Sequence, residues 1–189
     1  MVRLQSILSK QILATTIALT TSNVLAIDCN SNIPESTPVS RFVINGDGTV
    51  SDYRTGLIWK RCREGRFTGS VGGVCESGID SVKNWQAAFS AVNDANSSEF
   101  AGASNWRLPN VKELMTLVEH QCRDPAINTN IFPFVLISTV SRYWTSTPYA
   151  NKKEDAWVVD FKDGITGHSN KNSDPKAWRF VRLVRDGNQ

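Results

Sequence analysis

From residue 41 to residue 62 the chain alternates apolar and polar residues in short runs separated by glycine-containing turns. Residues 41–44 and 49–53 carry this alternation on either side of the Asn45–Gly48 turn, which predicts a β-hairpin. A second turn at residues 54–56 leads into residues 57–62, which we interpret as a further strand. The N-terminal part of the domain is therefore predicted to be an antiparallel sheet.

Two later segments repeat apolar residues at helical spacing. In residues 81–96 the apolar positions lie three or four residues apart, which predicts a helix with Asp80 or Ser81 as its N-cap. The stripe expected to face the core consists of Val82, Trp85, Phe89 and Val92.

A second helix is predicted to begin at Asn110, because Glu113 follows three residues later and completes a capping-box pattern. The side chains expected to share its core face are Val111, Leu114, Met115 and Val118.

The C-terminal part returns to strand-like alternation. Residues 155–161 and 178–184 each alternate, whereas residues 165–177 between them are polar and predict a surface loop. The order of strands, two helices and strands predicts an α+β fold with an antiparallel sheet.

Residues 1–26 have the three parts of a secretory signal. Arg3 and Lys10 give the positive start, Ile12–Leu19 form an apolar core, and Ala26 ends a short cleavage site. The core is shorter than the roughly 20 apolar residues that a membrane-spanning helix needs. We therefore predict that the chain is exported, to the periplasm, the cell surface or the medium.

Cleavage before Ile27 leaves 163 residues, of which 27–40 are predicted to form an extended arm and 41–186 the domain. The loss of Arg3 and Lys10 leaves 19 basic against 18 acidic residues, so the formal charge falls from +3 to about +1. Without a run of Lys or Arg, nucleic acid is not an expected partner. The mature chain has no stretch that predicts a transmembrane segment, and its oligomeric state stays open.

All four cysteines, Cys29, Cys62, Cys75 and Cys122, follow the predicted cleavage site. An even number in an exported chain predicts disulfides, for which three pairings exist. Cys62 and Cys75 flank a Gly-rich loop, which favours a local bridge and leaves Cys29 to pair with Cys122. A metal site is the alternative, but the cysteines form no C-x-x-C motif and the histidines lack ligand spacing.

Three segments of the chain carry an ordered set of motifs. They read GDGTVSDYRTGLIWKRC at 46–62, NWRLPNVKELMTLVE at 105–119, and YWTSTPYANKKEDAWVVDFKDG with WRFVRLVR at 143–164 and 178–185. Together they resemble the Lcl C-terminal domain family, named for the terminal domain of a collagen-like bacterial adhesin. The resemblance covers residues 41–186 and implies a C-type-lectin-like fold, with a small twisted antiparallel sheet, two helices and a long loop region. It also implies adhesion, with sulfated polysaccharide as the ligand class.

The RLP-x-x-x-E motif at residues 107–113 is also similar to the formylglycine-generating enzymes, which implies a related fold. Those enzymes work with cysteines near the C-terminal end, where this chain has none, and its two histidines, His120 and His168, form no cluster in the sequence. We predict a domain without catalytic residues. The alternative is a periplasmic or secreted enzyme, such as a glycan hydrolase, with a carboxylate pair drawn from Glu113, Asp155 and Asp160.

Residues 147–178 are the predicted binding region, because they combine aromatic and basic side chains. Aromatic faces pack on sugar rings, and lysines pair with sulfate or carboxylate groups. The predicted ligand-binding residues are Tyr149, Lys152, Lys153, Lys171 and Lys176. Trp157 and Trp178 lie in alternating strands and are expected to belong to the core. The predicted partner is a polysaccharide or a surface glycan; a structural accessory of a surface assembly is a further alternative.

Oxygen-bearing side chains in this region make calcium the one candidate cofactor. They are Asp160, Asp163, Asn170, Asn172 and Asp174. The sugar-binding tripeptides of calcium-dependent lectins are absent, and turn formation explains residues 163–164 and 173–175 more simply. We therefore predict no cofactor.

Overall fold

The computed structural model describes residues 28–67, 75, 77–78, 83–133, 141–172 and 179–187. The predicted signal, residues 1–26, lies outside the described residues. Within the described part, antiparallel strands form four sheets and two α-helices pack beside them. This arrangement confirms the predicted α+β class and is compatible with a C-type-lectin-like fold.

The elements are numbered in chain order. The strands are β1 (Asp28–Cys29), β2 (Phe42–Ile44), β3 (Thr49–Asp52), β4 (Leu57–Lys60), β5 (Arg66–Phe67), β6 (Ser77–Gly78), β7 (Cys122–Arg123), β8 (Arg142–Pro148), β9 (Asp155–Asp160), β10 (Thr166–Asn170) and β11 (Val184–Asp186). The α-helices are α1 (Trp85–Ser97) and α2 (Val111–Met115), and short 3-10 helices lie at Val39–Arg41 and Phe100–Gly102.

A four-stranded sheet in the order β11–β4–β3–β2 forms one side of the domain. Val50 of β3 and Trp59 of β4 lie opposite each other in the register and are fully buried. The predicted hairpin and the strand after it are thus confirmed. The strand predicted at residues 178–184 is wrong in its extent, since β11 begins only at Val184. Before it, backbone hydrogen bonds continue without a regular ladder: the N–H of Lys60 donates to the carbonyl of Leu183, and that of Glu64 to the carbonyl of Val181, both at 2.9 Å. The buried Arg182 side chain adds a hydrogen bond to the carbonyl of Lys60 at 2.8 Å.

The three-stranded sheet β10–β9–β8 has an apolar core on each face. Side chains alternate along β9, so Val159 packs into the core that contains Leu114 and Tyr143. Val158 points the other way, into the core that contains Trp106 and Trp144. The alternation predicted for residues 155–161 is confirmed, with both faces buried.

The surface loop predicted for residues 165–177 is wrong in its first part, because Thr166–Asn170 form β10 and pair with β9. As the edge strand, β10 satisfies backbone hydrogen bonds on β9 while most of its polar side chains reach solvent. Gly164 makes the tight connection between the strands. Its φ is +78°, and a Cβ atom there would lie 2.6 Å from a methyl carbon of Val118.

Helix α1 begins later than predicted. The side chain of Asn84 accepts a hydrogen bond from the backbone N–H of Ala87 at 2.8 Å and is the N-cap. The predicted caps, Asp80 and Ser81, lie outside the described residues.

The buried face of α1 also differs from the predicted aromatic stripe. Its fully buried side chains are Ala88, Ala91 and Ala95. Trp85 is only partly buried and Phe89 is 37% exposed, because the alanines provide the close contact with the sheet. Val82 lies outside the described residues. The two aromatic rings are therefore left at the edge of the core.

The capping box of α2 is confirmed in both directions. Asn110 accepts from the N–H of Glu113 at 2.9 Å, and the Glu113 carboxylate accepts from the N–H of Asn110 at 2.8 Å. Leu114 is fully buried, but Met115 is 40% exposed, so the predicted core face is wrong at that position. The helix ends at Met115, and Val118 reaches the core from the segment that follows.

Two disulfides are present, in the pairing that the sequence favours. Cys29–Cys122 joins β1 to β7, and Cys62–Cys75 closes the Gly-rich loop. Cross-links restrict the unfolded chain, which stabilises the fold by about 3 kcal/mol for a short loop and somewhat more for a long one. No helix of the described residues is long and apolar enough to cross a membrane.

A buried carboxylate holds the N-terminal arm against the domain. Glu119 is only 4% exposed, and its oxygens accept from the backbone N–H groups of Ser36, Thr37 and Gln121 at 2.8–3.0 Å. The hydroxyl of Thr37 donates to it as well, at 2.7 Å. Burial opposes its ionisation, but these donors outweigh burial and lower the pKa of Glu119 to about 2.

Glu119→Gln is expected to destabilise the folded chain by about 2 kcal/mol at neutral pH, because an amide turns N–H groups toward the donors of the arm. The folded-state pKa lies below the ordinary 4.5, so the stabilisation from this group is complete above about pH 5 and is lost as pH falls toward 2. Urea unfolding between pH 7 and pH 2 should show a steeper loss for the wild type than for the variant. Glu35→Gln, an exposed change in the same arm, is the control. Parallel pH curves for the wild type and Glu119→Gln would contradict this role.

Candidate functional site

The β8–β9 connection is a tight turn that places three of the predicted ligand-binding residues, Tyr149, Lys152 and Lys153, on one hairpin. The N–H of Tyr149 donates to the carbonyl of Asp155 at 3.0 Å, and the N–H of Asp155 donates to the carbonyl of Lys152 at 2.9 Å. Lys171 joins from the end of β10, where its N–H donates to the carbonyl of Glu154 at 2.8 Å. Because side chains alternate along β9, the two faces of this hairpin carry different groups.

One face carries a cluster of three rings. The rings of Tyr149 and His168 stack in parallel, with centroids 4.2 Å apart and planes 5° from parallel. Trp157 meets Tyr149 edge-on at 5.1 Å. Trp157 is therefore half-buried against this cluster rather than inside a core, while Trp178 lies outside the described residues.

The Asp155 carboxylate lies behind the stacked rings. His168 Nδ1 lies 2.7 Å from Oδ2, and the Lys152 ammonium lies 3.2 Å from Oδ1. The Asp155 side chain is 3% exposed. Burial opposes its ionisation, but the hydrogen bond from His168 and the nearby Lys152 hold the pKa of Asp155 below its ordinary value. Asp155 is therefore a buried carboxylate that pairs with two basic side chains.

The opposite face opens into a groove between the hairpin and the first turn of α1. It has a volume of about 450 Å³. Its lining residues are Trp85, Gln86, Phe89, Lys153, Glu154, Lys171 and Asn172. We call this space the lysine groove.

Lys171 is held in a defined position inside the lysine groove. Its ammonium lies 4.7 Å from the centre of the Trp85 ring and donates to the carbonyl of Lys153 at 2.6 Å. The indole is itself fixed, since Trp85 Nε1 donates to the carbonyl of Thr145 at 2.8 Å and Phe89 packs edge-on at 4.8 Å. An ammonium has three donors, so two remain for a ligand.

The predicted binding residues thus divide between the two faces. Tyr149 and Lys152 belong to the ring side, Lys153 and Lys171 line the lysine groove, and Lys176 lies outside the described residues. Sequence reasoning missed Trp85, Phe89 and His168 as site residues. Trp85 and Phe89 are four residues apart and are predicted to face the core. The one local signal for an edge position is that both lie in the N-terminal part of α1.

The carboxylates proposed for an enzymatic alternative are engaged in separate interactions. Glu113 pairs with Arg107 through both oxygens, at 2.8 and 2.9 Å. Asp160 accepts from Arg142 Nε at 3.0 Å and from the Ser141 hydroxyl. Neither of these carboxylates takes part in the Asp155 cluster.

The oxygen-bearing side chains considered for calcium also have local roles. Asp163 Oδ1 accepts from the N–H of Ile165 at 3.3 Å, and Asn170 Oδ1 accepts from the N–H of Asn172 at 2.9 Å, as in turns. Asp174 lies outside the described residues. Among the residues that the structure describes, no three His, Cys, Asp or Glu side chains converge on a metal position.

A family model supports the resemblance seen in the motifs. The model of the Lcl C-terminal domain matches residues 48–185, which is most of the chain and contains the hairpin and both faces described above. No curated protein matches the sequence.

Asp155→Ala is expected to lower the melting temperature by about 3–6 °C, because His168 and Lys152 lose a buried partner. The near-ultraviolet circular dichroism of the stacked rings should weaken at the same time. Glu154→Ala removes the same charge from the neighbouring exposed residue and is the matched control. Equal melting temperatures and equal spectra for the two variants would contradict an organising role for Asp155.

Proposed function

The chain belongs to the Lcl C-terminal domain family, and on this premise we propose that it is an exported domain that binds acidic polysaccharide without catalysing a reaction. Membership of the family suggests a surface or secreted domain. The observation that carries the proposed ligand class is the position of Lys171 in the lysine groove, with its ammonium held between the Trp85 ring and the Lys153 carbonyl.

The lysine groove suits a charged sugar better than a neutral one. Lys171 occupies a face of the Trp85 ring, so that face is not free for stacking on a sugar. Phe89 is partly exposed and offers an apolar wall instead. Lys153 stands beside them with a side chain that is 92% exposed. Two ammonium groups next to an apolar wall fit a sulfate or carboxylate on a pyranose ring.

Glu154 sets the selectivity of the lysine groove. Its carboxylate lies 3.9 Å from the Lys153 ammonium, in the same lining. It leaves a net charge of one positive unit among the charged lining residues, which are Lys153, Glu154 and Lys171. We expect the groove to hold a single acidic group firmly and to use the carboxylate as an acceptor for a neighbouring hydroxyl.

Export is supported by two independent features of the chain. Residues 1–26 have the charge and apolar pattern of a secretory signal. Two disulfides, Cys29–Cys122 and Cys62–Cys75, are of the kind that persists in an oxidising compartment.

The double variant Lys153→Ala/Lys171→Ala is expected to weaken binding of a sulfated oligosaccharide at least about fivefold, since each exposed charge contact contributes up to about 1 kcal/mol. Fluorescence polarisation of a labelled, heparin-like oligosaccharide at several salt concentrations measures this. The salt dependence should also fall, because fewer counterions are released on binding. Trp85 provides an intrinsic fluorescence signal for the same titration.

The matched control is Lys112→Ala/Lys162→Ala, which removes two exposed lysines from other elements. It should bind like the wild type at equal salt. If both double variants lost the same affinity for the sulfated oligosaccharide, attraction by net charge alone would explain binding. That result would refute the lysine groove as the binding site. A wild type that fails to bind sulfated, carboxylated and neutral glycans on an array would refute the polysaccharide ligand class altogether.

Export is tested by expressing the full chain in a Gram-negative host and sequencing the N-terminus of the product. We expect a mature chain that begins at Ile27 and is recovered outside the cytoplasm, with no free thiol under non-reducing conditions. Replacing Arg3 and Lys10 with glutamate should retain the uncleaved chain inside the cell. Recovery of an uncleaved wild-type chain from the cytoplasm would refute export.

A further inference from the structure

A second cleft lies where the N-terminal arm, the β3–β4 turn and the segment after α2 meet. It has a volume of about 240 Å³. Its lining residues are Ser36, Arg41, Arg54, Thr55, Met115, Thr116, Val118 and His120. Three of these side chains are basic, and none of the described residues that line it is acidic. We call it the arginine cleft.

The base of the arginine cleft is built around the buried Asp52. Both oxygens of Asp52 bind the Arg41 guanidinium, with Nε to Oδ1 at 2.7 Å. The N–H of Arg54 and the hydroxyl of Thr55 donate to the same carboxylate, at 3.0 and 2.7 Å. Burial opposes the ionisation of Asp52, but these donors prevail and keep its pKa below the ordinary value. One buried carboxylate therefore positions both arginines.

The contacts of Asp52 leave the Arg54 side chain free. Asp52 holds Arg54 through its backbone N–H, so the guanidinium extends from the turn without using its own donors. Within the described part of the chain, the side chains of Arg54 and His120 have no hydrogen-bond or ion-pair partner. His120 is held through its backbone, whose N–H donates to the Ser36 hydroxyl at 2.8 Å. Both basic side chains are exposed at the rim of the cleft.

The remaining polar groups of the arginine cleft are already engaged. The Thr116 hydroxyl donates to the carbonyl of Glu113 at 2.7 Å, and the Ser36 hydroxyl donates to the carbonyl of Val118 at 2.9 Å. Arg41 Nη1 donates to the carbonyl of Thr116 at 2.8 Å. Free donors thus come from Arg54 and His120, and the half-exposed Met115 supplies an apolar wall.

We propose that the arginine cleft binds a single oxyanion group, a sulfate or a carboxylate, carried by a polysaccharide. A guanidinium presents paired N–H donors that match such a group, and an imidazole adds a donor and, when protonated, a charge. The polysaccharide as carrier rests on the proposed function, whereas the match to an oxyanion rests on the cleft itself. This site lies apart from the lysine groove, and the two share no lining residue.

The test uses the mature chain labelled with nitrogen-15, titrated with sodium sulfate, a sulfated disaccharide and an uncharged disaccharide. The titrations are made with the wild type and with Lys153→Ala/Lys171→Ala, which removes the charges of the lysine groove. In both proteins the sulfated disaccharide should shift the amide resonances of Arg54, Thr55, Thr116 and His120. When Arg54→Ala/His120→Ala is introduced into either protein, these shifts should disappear. The affinity of this cleft for the sulfated disaccharide should fall at least about fivefold. Because neither side chain has a partner in the folded state, the melting temperature should not change.

The controls separate this proposal from the lysine groove and from a free ion. Lys112→Ala removes an exposed charge from α2 and should leave the cleft resonances responsive. The proposal that the arginine cleft binds an oxyanion would be overturned if these shifts are absent from the wild type or persist in Arg54→Ala/His120→Ala. This holds even if Lys153→Ala/Lys171→Ala loses affinity for the sulfated sugar. A sulfated disaccharide that displaces sulfate from the cleft supports the polysaccharide carrier. Sulfate binding that the disaccharide fails to displace would overturn that carrier.

Discussion

The burial of β9 on both faces is the constraint on which the rest of the domain depends. Val158 and Val159 point into different apolar cores, one against α1 and the other against α2 and the four-stranded sheet. A one-residue slip of this strand would exchange the two sets of side chains, so its register is strongly determined. The β8–β9 turn and β10 follow from that register. The ring cluster and the lysine groove lie on opposite faces of one hairpin for the same reason.

Buried charges organise the parts of the chain that have no regular structure. The Asp52 carboxylate accepts hydrogen bonds from Arg41 and from Thr55 in the β3–β4 turn. The Glu119 carboxylate accepts hydrogen bonds from Ser36 and Thr37 of the arm. Arg182 is a buried cation with a similar role. It is fully buried, and its guanidinium donates hydrogen bonds to the carbonyls of Lys60 and Arg61 at the end of β4. Burial lowers the pKa of Arg182, and its ring neighbours Phe132 and Tyr143 lie 4.8 and 5.7 Å away. Removing one partner of such a contact leaves an unsatisfied group in the interior, which is costly. These contacts therefore define unique positions for segments that an apolar core alone would leave loosely placed.

The sequence allows prediction where the signal is local. The hairpin before Asp52 and the capping box at Asn110 depend on neighbouring residues, and both are confirmed. Strand β10 was missed because its polar side chains at the sheet edge give no alternation, and its order comes from backbone pairing with β9. The apolar periodicity of α1 is the same for residues that face the core and residues that line a groove. In the structure the alanines of α1 form its buried face, and Phe89 is left partly exposed. The contact of His168 with Asp155 joins residues 13 positions apart through a register that no local pattern encodes.

The small net charge predicted for the chain after signal cleavage makes the local placement of charge decisive for the proposed recognition of a polyanion. With 19 basic against 18 acidic residues, long-range attraction to a polyanion is weak, and affinity has to arise at contact distance. A lysine that is free in solution loses up to about 2 kcal/mol of side-chain entropy when it is fixed by a ligand. Lys171 is already held by Trp85 and the Lys153 carbonyl, so less of that loss remains for binding. Lys152 is paired with Asp155, and its charge is partly neutralised before any ligand arrives. Of the predicted lysines that the structure describes, Lys171 is therefore the one whose charge and position are both prepared for the proposed acidic group.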